Sequence, residues 1–276
     1  MRRNKDGPFF CYAPFTTPHL ELAVPEDSLA EYRGKFPETP YIDERRHYAD
    51  QPHPRAAYAA MITRMDRDVG RILALLKELK LEDNTVVFFA SDNGAAQVRR
   101  DSFFRSTGPF RGAKGDFYEG GIRTPLIARW PGKIRAGATN DHACAAWDFL
   151  PTAAEFAGVR APKGIDGVSI VPALLGKKQP RHEFLYWERP RHNAADGTFR
   201  QEIPIQGMRM GEWKAVRTAP AGPLELFNLK DDIGEKRNLA AESPRVMARI
   251  EEYLRAARTV PRFQKQPQHH WSPETA

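Results

Sequence analysis

The chain has 276 residues, 41% hydrophobic and 28% charged, which excludes wholesale disorder and leaves room for one large or two modest domains. No run approaches the ~18 apolar residues of a membrane-spanning helix, and the basic start, Met1-Arg2-Arg3, leads into an apolar stretch too short for a signal peptide. The net charge of +7 is spread in short clusters, mainly the pattern of a solvated surface, with a nucleic-acid face as the minor alternative.

Residues 9–13, Phe-Phe-Cys-Tyr-Ala, lie between Gly7-Pro8 and Pro14 and predict a short strand buried on both faces. Residues 15–54, rich in Pro, Thr and charge, predict a long loop. Over residues 55–81, Tyr58, Met61, Ile62, Met65, Val69, Ile72, Leu73, Leu76 and Leu79 recur at three- and four-residue spacing, the mark of an amphipathic helix. The β-branched and aromatic run 85–90 predicts a strand that stops at Ser91-Asp92-Asn93-Gly94. Strand, helix and strand in this order imply a parallel pair in a covered α/β sheet, with the polar cluster at the carboxyl end where such sheets bind ligands.

Residues 95–123 read as loop, 125–130 as a strand, 141–158 as a helix interrupted by Pro151, and 169–175 as a short helix. Strand-like pieces at 184–188, 206–210, 213–217 and 224–228 precede a helix at 244–257. The expected organisation is an α/β domain over residues 1–180, a small antiparallel α+β subdomain over 181–258, and a tail over 259–276. Cys11 and Cys144 fit neither a disulfide framework nor a zinc site and are expected as buried packing thiols.

Three clusters carry chemistry. Asp92 and Asn93 offer a charged and a neutral oxygen suited to a hard cation, although Asp-Asn-Gly after a strand also makes a tight turn. His19 follows Pro18 where the first loop begins, as an exposed loop histidine or as a group at the same sheet edge. Lys114 sits among Gly112, Gly115, Gly120 and Gly121, where backbone can approach a ligand closely.

Together with Met65-Asp66-Arg67-Asp68-Val69-Gly70, Tyr118-Glu119-Gly120-Gly121-Ile122-Arg123-Thr124-Pro125, Asp148-Phe149-Leu150-Pro151-Thr152 and Leu226-Phe227-Asn228-Leu229, these clusters closely resemble the carboxy-terminal portion of the sulfatase family. The likeness is to arylsulfatases and N-acetylgalactosamine-6-sulfatases, within the alkaline-phosphatase-like superfamily. It implies a covered mixed α/β sheet, here without its amino-terminal strands, plus the small antiparallel subdomain. By this resemblance Asp92 and Asn93 are calcium ligands, Lys114 holds a sulfate oxygen, and His19 stands near the bridging ester oxygen. The chemistry suits those types: a unit charge 4 Å from an anionic oxygen is worth roughly 4 kcal/mol at an effective dielectric of 20, and a histidine can protonate a departing alcohol. The implied substrate is a small sulfate ester or a sulfated glycan, with no nucleic-acid or membrane partner, an open oligomeric state, and a periplasmic or secreted location.

The family's nucleophile is a formylglycine made within a Cys/Ser-x-Pro/Ala-x-Arg motif, and neither Cys11-Tyr12-Ala13-Pro14-Phe15 nor Cys144-Ala145-Ala146-Trp147-Asp148 fits it. No serine fits either, so the nucleophile and its neighbouring acidic ligands are expected upstream, and these 276 residues alone are expected to show no turnover. Competing expectations are a phosphate or phosphonate ester hydrolase of the same superfamily, a non-catalytic truncated binding module, and a basic nucleic-acid binder. Residues 41–54, 95–107 and 182–199 are candidates to wall the pocket, with plain surface the favoured alternative, and His142, His182 and His192 are candidate substrate contacts by analogy of position only.

Overall fold

The computed structural model describes residues 1–44, 47–96, 103–190 and 203–259. In chain order the elements are α1 (Glu26–Ala30), α2 (Pro54–Glu78), β1 (Val87–Ala90), α3 (Glu119–Ile122), β2 (Leu126–Arg129), α4 (Phe149–Phe156), α5 (Val171–Leu174), β3 (Leu185–Arg189), β4 (Ile205–Met210), β5 (Trp213–Arg217), β6 (Glu225–Asn228) and α6 (Pro244–Ala257). β1 and β2 form a two-stranded sheet, and β3-β4-β5-β6 a four-stranded one. Two compact units result: Met1–Phe88 with Ala128–Ala136, and Phe89–Ile127 with the described residues from Gly137 on.

The first unit is built on α2. Pro54 opens the helix with a ring that needs no amide partner, and the Glu38 carboxylate accepts the next two amides, Arg55 at 3.0 Å and Ala56 at 2.8 Å. Pro54, Ala56, Ala57, Ala60, Met61 and Leu76 are its buried residues. At the far end Lys80 turns left-handed (φ 56°), and the Leu81 and Lys80 amides donate back to the Leu76 and Lys77 carbonyls, a Schellman stop made without glycine.

The second unit is built on the antiparallel sheet. Alternation sends Met208, Ala215 and Leu226 to one face, where Ile250 and Leu254 of α6 cover them. Lys214, Val216 and Phe227 take the other face, where Tyr118 and Phe117 lie against Val216 and Phe227. A side chain at Gly207 would meet the Phe117 Cβ at 2.8 Å, so β4 is flat where that ring lies on it.

Several expectations are corrected. Residues 9–13 are irregular, with Phe10 73% and Tyr12 77% exposed, because extended backbone becomes a strand only when a neighbour pairs with it and β1 pairs with β2 instead. The parallel pair with that strand does not form among the described residues, and Cys11, expected to be buried, is exposed. Cys144 is half-buried, and burial pushes its thiol pKa up. Pro151 does not interrupt a helix, because α4 begins only at Phe149 and Pro151 falls in its first turn, where an amide has no intrahelical partner. Among the described residues, the loop expected over 95–123 contains a short helix, α3.

Candidate functional site

Asp92 and Asn93 follow the end of β1, Asp92 exposed and Asn93 half-buried. The Ser91 hydroxyl donates to the Asn93 carbonyl at 3.0 Å, and the Asn93 amide nitrogen donates to the Gly94 carbonyl at 3.1 Å. Behind this turn the chain is packed backbone on backbone: a Cβ at Gly94 would lie 1.9 Å from the Gly120 carbonyl oxygen, and one at Gly120 would lie 2.4 Å from that of Gly112. Two amide bonds cross the contact, Gly94 to the Gly121 carbonyl at 2.9 Å and Lys114 to the Ala95 carbonyl at 3.0 Å. The loop carrying Lys114 and the turn carrying Asp92 and Asn93 are therefore one piece.

The Lys114 loop is in turn fastened to the antiparallel sheet. The Arg111 guanidinium lies 3.9 Å from the centre of the Tyr118 ring and donates to the Glu235 carbonyl at 2.9 Å. The Tyr118 hydroxyl donates to Glu225 on β6 at 2.9 Å, and burial beside that carboxylate pushes its pKa up to about 12. Arg189 on β3 donates to the Gly115 carbonyl at 3.0 Å.

Beneath these contacts Lys214 of β5, 0% exposed, donates to Glu119 of α3, 2% exposed, at 3.0 Å. Burial pushes the Lys214 pKa down. Burial also works against the Glu119 carboxylate, but Lys214, Arg209 and Arg123 together hold its pKa below the ordinary value. The Glu119 amide donates to the buried Glu235 carboxyl at 2.8 Å, and burial pushes the Glu235 pKa up to about 7.

A second pair joins buried Asp148, at the start of α4, to half-buried His182, just before β3. Asp148 accepts the Ala145 and Val168 amides, each at 2.8 Å, and the His182 Nε2 stands 2.9 Å from its Oδ1. His182 thus ties β3 to α4, and half-buried His142 has its pKa pushed down by burial. His192 and parts of the three expected pocket walls lie outside the described residues.

His19 belongs to the first unit, exposed, with its backbone amide on the Thr16 carbonyl at 2.8 Å and its Nδ1 on the Leu20 carbonyl. Asp92, Asn93 and Lys114 belong to the second. Asp92 and Asn93 supply the hard oxygen donors that calcium takes, but a sphere of six to eight is needed. Among the described residues no group of three His, Cys, Asp or Glu converges on a metal position, so this pair alone does not make the site.

The sulfatase family model matches residues 1–159, more than half of the chain. The chain belongs to the sulfatase family. A second model, N-sulphoglucosamine sulphohydrolase C-terminal, matches residues 113–259 of this chain. A sulfatase of Formosa agariphila is 32% identical over 258 residues, covering 88% of this chain and 44% of its own length. The N-acetylgalactosamine-6-sulfatase of Canis lupus familiaris is 38% identical over 146 residues, covering 51% of this chain and 28% of its own. The crystal structure of Ps i-CgsB in complex with k-i-k-neocarrahexaose matches with a TM-score of 0.72 at 27% identity, over 95% of this chain and 53% of that one. The phosphonate monoester hydrolase of Agrobacterium radiobacter matches with a TM-score of 0.58 at 28% identity, over 75% of this chain and 42% of that one. The chain therefore has the alkaline-phosphatase-like α/β fold and spans about half the length, or less, of the relatives it matches.

Two features of the site escape sequence reading by motif. The Glu119–Lys214 pair had a signal: within Trp213-Lys214-Ala215-Val216 a lone lysine shares a strand face with an apolar residue, which calls for a buried carboxylate partner. The Asp148–His182 pair, separated by 34 positions, had none.

Proposed function

We propose that this chain is the carboxy-terminal part of a sulfuric ester hydrolase acting on an aryl sulfate or a sulfated carbohydrate. In this reading Lys114 holds a sulfate oxygen, Asp92 and Asn93 give two oxygens to a calcium ion, and His19 assists the departing alcohol oxygen. The observation that carries it is the backbone tie of the Lys114 amide to the Ala95 carbonyl at 3.0 Å, which holds a lysine loop against the Asp92–Asn93 turn. A preset positive charge of this kind acts on an anionic ester without waiting for the protein to rearrange. Calcium, when bound, would screen the charge of the sulfate oxygens, and a formylglycine-bearing segment would supply the nucleophile. The carbohydrate option is supported by the oligosaccharide in the Ps i-CgsB structure. A periplasmic or secreted location accords with this reading.

The test is hydrolysis of an aryl sulfate by this chain completed with a formylglycine-bearing segment. Lys114→Ala is expected to lower kcat/KM by about 10²–10³, the usual cost of a lost charge stabiliser. A loss under about threefold rejects the role of Lys114, and metal-dependent turnover by these 276 residues alone rejects the need for a further segment.

The likeness to a phosphonate monoester hydrolase supports a second reading, in which the ester group is a phosphonate. Comparing kcat/KM for an aryl sulfate and an aryl phosphonate separates the two.

A further inference from the structure

The Lys114 loop is held by two kinds of contact of different character. The glycine contact with Gly94 is steric and fixes how near the two loops can come. The contact with the sheet is ionic and hydrogen-bonded, and it centres on side chains that no solvent reaches: Lys214 is 0% exposed, Glu235 0% and Glu119 2%. An ammonium in that position is a costly way to fill a sheet face, since an apolar residue of similar volume packs without desolvation. Its Nζ also lies 5.2 Å from the centre of the Trp187 ring on β3, so the lysine is fixed from two sides.

We propose that Lys214, acting through Glu119, is a positioning residue for Lys114. Resting on the assignment of Lys114 as the sulfate-holding lysine, the inference adds the device that sets its place. Glu119 opens the short helix that closes the Gly-rich loop, and its side chain is pulled onto the sheet by Lys214 at 3.0 Å, with Arg123 at 3.5 Å and Arg209 at 3.8 Å on the other oxygen. Its amide is held from below by Glu235 at 2.8 Å. Fixing Glu119 fixes Gly120 and Gly121, whose amides bond to the Arg111 and Tyr118 carbonyls at 2.7 and 3.0 Å, and so closes the loop on either side of Lys114. Without the Lys214 bond the glycine contact still limits close approach, and Tyr118, Arg189 and Arg209 still tie the loop to the sheet, but Glu119 loses its shortest ionic contact with it.

The experiment follows amide hydrogen exchange in the full chain for wild type, Lys214→Met and Lys214→Met/Glu119→Gln. Lys214→Met leaves a buried carboxylate short of its main partner and is expected to lower global stability, whereas the double variant removes both charges and is expected to recover it. Positioning predicts that the amides of Lys114, Asp116, Gly120 and Gly121, all hydrogen-bonded in the structure, exchange at least about tenfold faster in both variants. The amides of β4 and β5 should stay within about threefold of wild type in the double variant. Recovery of loop protection together with stability in the double variant overturns the inference, because the pair would then act only through overall stability. If Lys214→Met fails to fold, Glu119→Gln, which keeps an acceptor for Lys214, serves instead with an intermediate acceleration expected and none overturning the inference. A separate arm measures how far inorganic sulfate protects Lys114 from amine acylation. No protection in wild type sinks the sulfate assignment alone, while equal protection in wild type and the double variant sinks the positioning role.

Discussion

Glu235 lies among like and unlike charges, facing Lys214 of β5, Glu119 of α3 and Arg111 of the loop, with no solvent exposure and with its Oε1 lacking a hydrogen-bond partner. Burial is the main cause that lifts its pKa from 4.5 to about 7. A carboxyl with a raised folded-state pKa binds its proton more tightly folded than unfolded. Its contribution to stability is therefore complete below about pH 4.5 and is lost as the pH climbs through about 7. At about 1.4 kcal/mol per tenfold in proton affinity the loss has an upper bound of about 3 kcal/mol, and relaxation around the charge brings it nearer 2. At roughly 2–4 °C per kcal/mol for chains of this size, that is about 4–8 °C in Tm. Glu235→Gln keeps an oxygen for the Glu119 amide and never ionises, so its Tm should stay level between pH 5 and 8 where that of wild type falls. Circular dichroism melts at half-unit pH steps read both curves. Parallel wild-type and variant curves would show that Glu235 does not carry the titration and would refute the reasoning.

Three further outcomes follow from the same contacts. Gly94→Ala places a methyl 1.9 Å from the Gly120 carbonyl oxygen and should cost about 3 kcal/mol, with exchange at Gly121 accelerated; a Tm within 2 °C of wild type counts against the close contact. Asp148→Ala leaves the Ala145 and Val168 amides and His182 without their acceptor and should cost about 3–5 kcal/mol in urea denaturation, against which a change under about 0.5 kcal/mol would count. Ile250→Ala opens a cavity under α6, and the expected loss of about 2–4 kcal/mol should spare the pH dependence of Tm, since Glu235 is not part of that apolar cluster.

Periodic elements were legible in the sequence. α2 and α6 show their faces in the three- and four-residue spacing, and the last four strands show theirs in short runs between turn residues, because both patterns depend on local geometry alone. The run 9–13 misleads for the complementary reason: its apolar composition says that it can be a strand, but a ladder needs a second strand, which composition does not supply. Pro151 misled through position, since the same residue that breaks a helix interior is harmless in a first turn. In the site, Asp92, Asn93 and Lys114 stand out because glycines mark their loops, and the structure joins those loops as backbone neighbours. The Glu235–Glu119 and Asp148–His182 contacts are made across 116 and 34 positions, which no local pattern encodes, whereas the lone lysine of β5 already called for a buried partner.

The four-stranded sheet presents hydrocarbon to α6 on one side and, on the other, an ionic seat for the Lys114 loop beside the Phe117 and Tyr118 rings. Hydrocarbon packing needs close fit everywhere, whereas the seat needs a few atoms in register. A loop of different length or sequence could therefore be grafted between Arg111 and Phe117 without redesigning the helix-backed layer, provided that Arg111, Phe117, Tyr118 and Glu119 keep their places. The sheet would then serve as a fixed mount, and changes in what the loop recognises could accumulate without reaching the core.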